Sequence, residues 1–250
     1  LIAVLFLARL PAMSEKQPYT IKCPKCGEQQ EAQLFESINV RQEPELRDQL
    51  MANKINEVTC SACGFAFRVD KPLLYIDLDH QLMIYLIPAS EQQYDTGEDQ
   101  FNEFLRNMLG VLPVDFRAPE VQLVFSRVEM IERIFLTEAG LNPRIIEYIK
   151  HKIYAQNGAK IPPLAKAILF NAQDSNEESL CFVVQDIATR KFEAVLHYQR
   201  ETYDAMDEMF ADGEKSADLM ELFPGPYISA RRLFLEDPNA TDGIEDDELL

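Results

Sequence analysis

Basic side chains are scarce in this 250-residue chain: 24 Lys and Arg stand against 42 Asp and Glu, a formal charge of −18 at pH 7. Non-specific nucleic-acid binding needs cations that displace counterions from phosphate, and anionic lipid surfaces attract basic segments for the same reason, so both partners are disfavoured. Glycine is scarce as well, at nine residues, and no G-x-S-x-G turn, phosphate-cradling loop or dinucleotide fingerprint occurs. The sequence accordingly names no catalytic residue and no organic cofactor. No apolar run reaches the roughly 20 residues of a membrane-crossing helix. No segment repeats at a fixed period, which argues against solenoids and propellers. What is present is ordinary globular material, 47% hydrophobic and 26% charged, long enough for one large domain or two small ones.

The two ends read differently from the middle. Residues 1–12, LIAVLFLARLPA, lack the basic start of an export signal and carry Leu10 where a small residue precedes cleavage. They are expected to be an upstream extension ahead of a natural start at Met13, with an export signal or a short anchor as alternatives, and the expected compartment is the cytoplasm. Residues 236–250 hold seven acidic side chains and no basic one. With little apolar surface to offset the entropy of ordering, they are expected to form a disordered acidic tail.

Between the ends the pattern predicts an α+β protein. Residues 13–88 read as short strands around two cysteine pairs, with a helix inserted at 43–52 that starts on Pro44 and turns Leu46, Leu50 and Met51 to one face. Residues 88–97 read as a polar linker. Residues 97–212 read as a helix-and-sheet domain: an amphipathic helix through Phe101, Phe104, Leu105, Met108 and Leu109, a strand near 121–125, and a helix marked by Val128, Ile131 and Phe135. A helix opened by Asn142-Pro143 follows, then strands near 165–171, 180–187 and 192–198, and a helix carrying Tyr203, Met206 and Phe210.

The chemistry lies in Cys23-Pro24-Lys25-Cys26-Gly27 and Cys60-Ser61-Ala62-Cys63-Gly64. Each motif puts two sulfurs on one tight turn, and the glycine after the second cysteine permits the positive φ that lets backbone N–H groups point at the sulfurs. Four sulfurs match the closed tetrahedral shell of a structural Zn2+, so Cys23, Cys26, Cys60 and Cys63 are the candidate ligands. Iron in the same geometry, two redox dithiols and unbound thiols are the alternatives. Four cysteine ligands leave no open position for water or substrate, which makes such a zinc structural. Binding worth about 10–16 kcal/mol in small zinc-finger peptides rivals the stability of a whole domain. Residues 19–70 are therefore expected to fold only with metal.

These residues, together with Ser37-Ile38-Asn39-Val40, Pro44-Glu45-Leu46, Thr59-Cys60 and Pro72-Leu73-Leu74-Tyr75-Ile76-Asp77, resemble the bacterial and archaeal CpXC domain family over about Tyr19–Pro88. The chain departs at Ser61, where proline is common in the family. Residues 124–153 are similar to the region that follows the domain in longer members. The resemblance implies a zinc-binding module of uncharacterised function, with the same four cysteines as ligands and no catalytic residues.

Other residues have plainer readings. Cys181 in an apolar strand reads as a small buried hydrophobe. His80, His151 and His197 have no cysteine or acidic partner at a motif spacing. Asp77 and Asp79 fit a hairpin turn, and Glu129, Glu132 and Arg133 read as a solvated helix face. Lys150, Lys152, Lys160 and Lys166 are the one basic cluster and read as solvated surface. Charge is uneven: residues 171–250 hold 20 acidic and 6 basic side chains, whereas 119–170 hold 5 and 7. The expectation that follows is a non-catalytic zinc-binding protein whose ribbon-like module and α+β domain serve protein interaction or regulation. A nucleic-acid or transcription-associated zinc ribbon is one alternative, and an enzyme with a site between the domains is another.

Overall fold

In a computed structural model the described residues are 14–109, 120–211 and 213–237. The expected leader at 1–12 and residues 238–250 of the expected tail lie outside them. The architecture is α+β, with a mixed sheet, two antiparallel sheets and seven α-helices among the described residues. The chain divides into two compact units, residues 1–131 and 132–250.

The first unit is built on a five-stranded sheet in the order β1 (Glu15–Lys22), β2 (Gln29–Asn39), β5 (Leu73–Asp77), β6 (Leu82–Leu86), β7 (Val121–Val124). The β1/β2 and β5/β6 pairs are antiparallel; β2/β5 and β6/β7 are parallel. Helix α1 (Glu45–Met51) covers Leu46 and Leu50, as the sequence pattern predicts. Strands β3 (Glu57–Thr59) and β4 (Ala66–Arg68) form a separate small hairpin. Ile38, Leu50, Ile55, Leu73, Tyr75, Ile76, Met83 and Ile84 are fully buried, since both neighbours of β5 are strands and its side chains are enclosed on each face.

The stretch 88–97 is not an unstructured linker. Ser90 and Gln93 form the capping box of a single 3-10 turn, Glu91–Gln93, which leads directly into helix α2 (Tyr94–Leu109). The helix thus starts inside the expected linker, and Gly97 lies within it. A Cβ at Gly97 would lie 2.4 Å from a carbon of the Phe125 ring, and that ring stacks on Tyr94 with centroids 4.3 Å apart. Glycine here permits a close approach and overrides its poor helix propensity. Farther along α2, Phe101 is fully buried and Phe104 stacks on Tyr85 at 4.2 Å.

Helix α3 (Arg127–Glu138) spans the division between the units. Ser126 and Glu129 cap its start reciprocally: the Glu129 carboxylate accepts from the N–H groups of Phe125 and Ser126 at 2.9 Å, and Ser126 Oγ accepts from the Glu129 N–H. Val128, expected on the inner face, is exposed, while Met130 and Ile134 are buried.

The second unit packs helices α4 (Pro143–Asn157), α5 (Arg200–Met209), α6 (Gly213–Leu222) and α7 (Ala230–Glu236) with an antiparallel sheet. Its strand order is β10 (Phe192–Gln199), β9 (Ser179–Asp186), β8 (Lys166–Phe170). Asn142 caps α4 by accepting from the Arg144 N–H, as its position before Pro143 predicts. Helices α6 and α7 were not announced by the pattern after residue 212.

Two readings of surface charge are corrected here. Glu132, Arg133 and Lys150 are buried along with Glu147, at 3–5% exposure, and form one network. Lys150 Nζ donates to Glu132 Oε1 and Glu147 Oε1, both at 2.8 Å, and Arg133 pairs with Glu147 at 3.2 Å. The second Glu147 oxygen accepts from the Ala230 N–H at 2.9 Å, and Arg133 donates to the Ile228 carbonyl. Two acids and two bases cancel, and this pairing is what permits charge in a core at all. Burial pushes the Glu147 carboxyl up, but Lys150 and Arg133 hold it below its usual range; burial opposes the Lys150 ammonium, yet Glu132 and Glu147 raise it. The other members of the expected basic cluster separate. Lys152 lies over the Tyr148 ring, Lys160 is exposed, and Lys166 pairs with Asp186 and Glu193.

Candidate metal centre

Each cysteine pair sits on the turn of a hairpin. Lys22 and Gln29 close the β1/β2 ladder around Cys23–Cys26, and Thr59 and Ala66 close β3/β4 around Cys60–Cys63. The two turns repeat the same hydrogen bonds: Gly27 N–H to Cys23 O and Gly64 N–H to Cys60 O at 2.9 Å, Cys23 N–H to Glu28 O at 2.8 Å and Cys60 N–H to Phe65 O at 2.9 Å. Gly27 and Gly64 hold φ of +79° and +68°, the left-handed conformation that the sequence pattern requires of them.

Two side chains bring the hairpins together. The Gln30 carboxamide donates to Thr59 O at 3.1 Å and accepts from the Ser61 N–H at 2.8 Å and the Ser61 hydroxyl at 3.1 Å. Asn56, buried with φ of +61°, accepts from the Phe35 N–H at 2.7 Å and donates to Phe35 O at 3.1 Å. It mimics a strand partner for the middle of β2. Neither residue carries a sequence signal for this role, since each acts across more than twenty residues.

The structure brings all four predicted cysteines to one point. Their Sγ atoms lie within 4.8 Å of one another, with Cys23 to Cys63 at 3.8 Å and Cys26 to Cys60 at 3.6 Å. Metal–sulfur bonds of about 2.3 Å in a tetrahedron give sulfur–sulfur edges of about 3.8 Å. A disulfide would need about 2.05 Å. Cys23 and Cys60 are buried, Cys63 is half-buried and Cys26 faces solvent.

The electrostatics fit a cation as well. Burial pushes the Cys23 thiol up, but the backbone N–H groups of Cys26 and Lys25 outweigh it and bring it down to about 7. Cys26 is lowered by the Glu28 N–H but raised by the Cys63, Cys60 and Cys23 sulfurs and by burial, and ends at about 12. Cys23 thus ionises readily while Cys26 resists. Four thiolates this close require a positive ion among them.

A family profile, CpXC protein, matches residues 21–150, more than half of the chain. The chain belongs to the CpXC family. The match runs well past Pro88 and takes in α2, β7, α3 and half of α4, so the CpXC region is larger than the cysteine module. No curated protein matches the chain, and no solved structure does.

The remaining chemistry-bearing residues of this CpXC protein fall elsewhere. Asp77 Oδ2 lies 2.8 Å from His80 Nδ1 at the β5/β6 turn, and Asp79 pairs with Arg41 at 3.2 Å. His151 is buried and stacks on Phe234 at 5.0 Å. Cys181 is buried in β9, with its sulfur 3.3 Å from His197 Nδ1 on β10 and 3.1 Å from the Asp174 carbonyl, to which it donates. His80 and His197 thus have partners that sequence spacing did not suggest. No described helix is long and apolar enough to cross a membrane.

Proposed function

We propose that Cys23, Cys26, Cys60 and Cys63 hold one Zn2+ that is structural, and that the two hairpins around it form a zinc-ribbon-like module. The observation that carries this reading is the packing of four sulfurs at the edge length of a tetrahedral metal–thiolate shell. Four protein ligands would complete that shell, so the metal would serve folding and leave no position for a reacting water. On this reading the protein is a cytoplasmic, non-catalytic interaction or regulatory module whose partner is another protein. Zinc is favoured over iron as the redox-inert ion for a site whose task is to hold two hairpins together.

The test is affinity purification of the full chain from its native host, with metal measured on the same sample. The expected result is one zinc per chain and a specific protein partner that is lost with Cys23→Ser. Stoichiometric iron would overturn the zinc assignment, and repeated recovery of the protein alone would overturn the interaction role.

A further inference from the structure

The four clustered sulfurs are presented to solvent unequally. Cys23 and Cys60, the first cysteine of each turn, are both 1% exposed, Cys63 is half-buried, and Cys26 is open to solvent. A small reagent that diffuses to the cluster therefore meets Cys26 first. The fifth cysteine offers no competing target. Cys181 is 1% exposed, and its thiol donates to the Asp174 carbonyl at 3.1 Å.

The exposed sulfur has a second sulfur beside it. Cys26 Sγ lies 3.6 Å from Cys60 Sγ, which belongs to the other hairpin. A disulfide between them requires that gap to close to about 2.05 Å. The bonds that keep the hairpins adjacent pass through no sulfur: Gln30 holds Thr59 and Ser61, and Asn56 holds Phe35. These bonds keep Cys26 and Cys60 neighbours while chemistry at sulfur proceeds.

We propose that hydrogen peroxide oxidises the cluster at Cys26, and that Cys26 then forms a disulfide with Cys60 across the two hairpins, so that the metal is discharged. The proposal rests on the metal-binding reading above, in which the ligands are held as thiolates. The Cys26 thiolate attacks one peroxide oxygen, the O–O bond breaks, hydroxide leaves, and Cys26 becomes a sulfenic acid. The Cys60 thiolate then attacks the Cys26 sulfur, the S–O bond breaks, and a second hydroxide leaves. Two thiolates lose two electrons in all, and one peroxide gains them. Cys23 and Cys63 stay reduced, but two thiolates are too few for the closed four-sulfur shell. The new bond joins the hairpins that the metal joined before, and a thiol reductant reverses it by exchange.

The test uses the full zinc-loaded chain, its metal content measured first, treated with hydrogen peroxide beside a chromogenic chelator. The expected result is zinc release in step with a single intramolecular disulfide, which peptide mapping places at Cys26–Cys60. With dimedone present to trap sulfenic acid, the adduct should form on Cys26 several-fold faster than on Cys23, Cys60, Cys63 or Cys181. Dithiothreitol followed by zinc should restore the starting metal content. No variant is needed, so loss of folding does not confuse the outcome. A chain that takes up no zinc overturns the metal-binding reading and this inference with it. A chain that holds zinc but keeps it under peroxide, is trapped first at another cysteine, or forms a different disulfide overturns this inference alone.

Discussion

Replacing Lys150 by methionine removes the ammonium that neutralises two buried carboxylates while keeping most of the side-chain volume. Lys150 contacts Glu132 and Glu147 at 2.8 Å, and all three are about 95% or more buried. After the change Glu147 retains Arg133 and the Ala230 N–H, whereas Glu132 keeps only the N–H of Phe170. Breaking a buried pair on one side costs about 3–5 kcal/mol because a charge is left uncompensated. With a urea slope on the order of 2 kcal/mol per molar, the midpoint of the second unit should fall by about 1.5–2.5 M. Circular dichroism at the helical minimum is the appropriate assay, since the chain has no tryptophan and this unit holds most of the helix.

The dependence on pH follows from the two shifted groups. Glu147 is depressed below 4.5 in the folded state, so its contribution is present above that value and is lost as pH falls. Lys150 is raised above 10.5, so its contribution is complete below that value and is lost as pH rises through the folded value. Wild-type stability from this network is therefore flat near neutrality. A cost below about 1 kcal/mol at pH 7 would refute the claim that the network is charged and mutually neutralising.

Two further outcomes are expected. Gly97→Ala should destabilise the first unit by about 1–3 kcal/mol in urea unfolding, although alanine is the better helix former, because its Cβ meets the Phe125 ring; Phe125→Leu should recover part of the loss. Gln30→Ala should leave metal stoichiometry unchanged but speed metal loss to a chromogenic chelator, since it removes three bonds joining the hairpins. Equal rates for the two proteins would show that the sulfurs alone hold the hairpins together.

The four-cysteine cluster was legible in the sequence because its turns are local: two sulfurs three residues apart and a glycine next to the second specify a turn before any tertiary contact forms. Helix α1, with Leu46 and Leu50, and helix α4, opened by Asn142-Pro143, were legible for the same reason. Several misread residues depend on distant partners, whereas the Ser90–Gln93 capping box and the Asp77–His80 pair are local. Glu132 and Arg133 have the spacing of a solvated face, and only Lys150 and Glu147, 14 to 18 residues on, show that the face is a core. His197 meets Cys181 through strand register, which no spacing rule encodes. Gly97 resembled the end of a linker because the ring that requires it comes 28 residues later.

Strand β2 runs from Gln29, three residues past Cys26, to Asn39, which pairs in parallel with Ile76 in the buried strand of the sheet. At about 3.3 Å per residue its 11 residues make a rod of roughly 36 Å. One end abuts the thiol cluster and the other is clamped in the core. On the proposed metal-binding reading, a single backbone thus joins the metal site to the register of Ser37, Ile38 and Asn39 in the sheet.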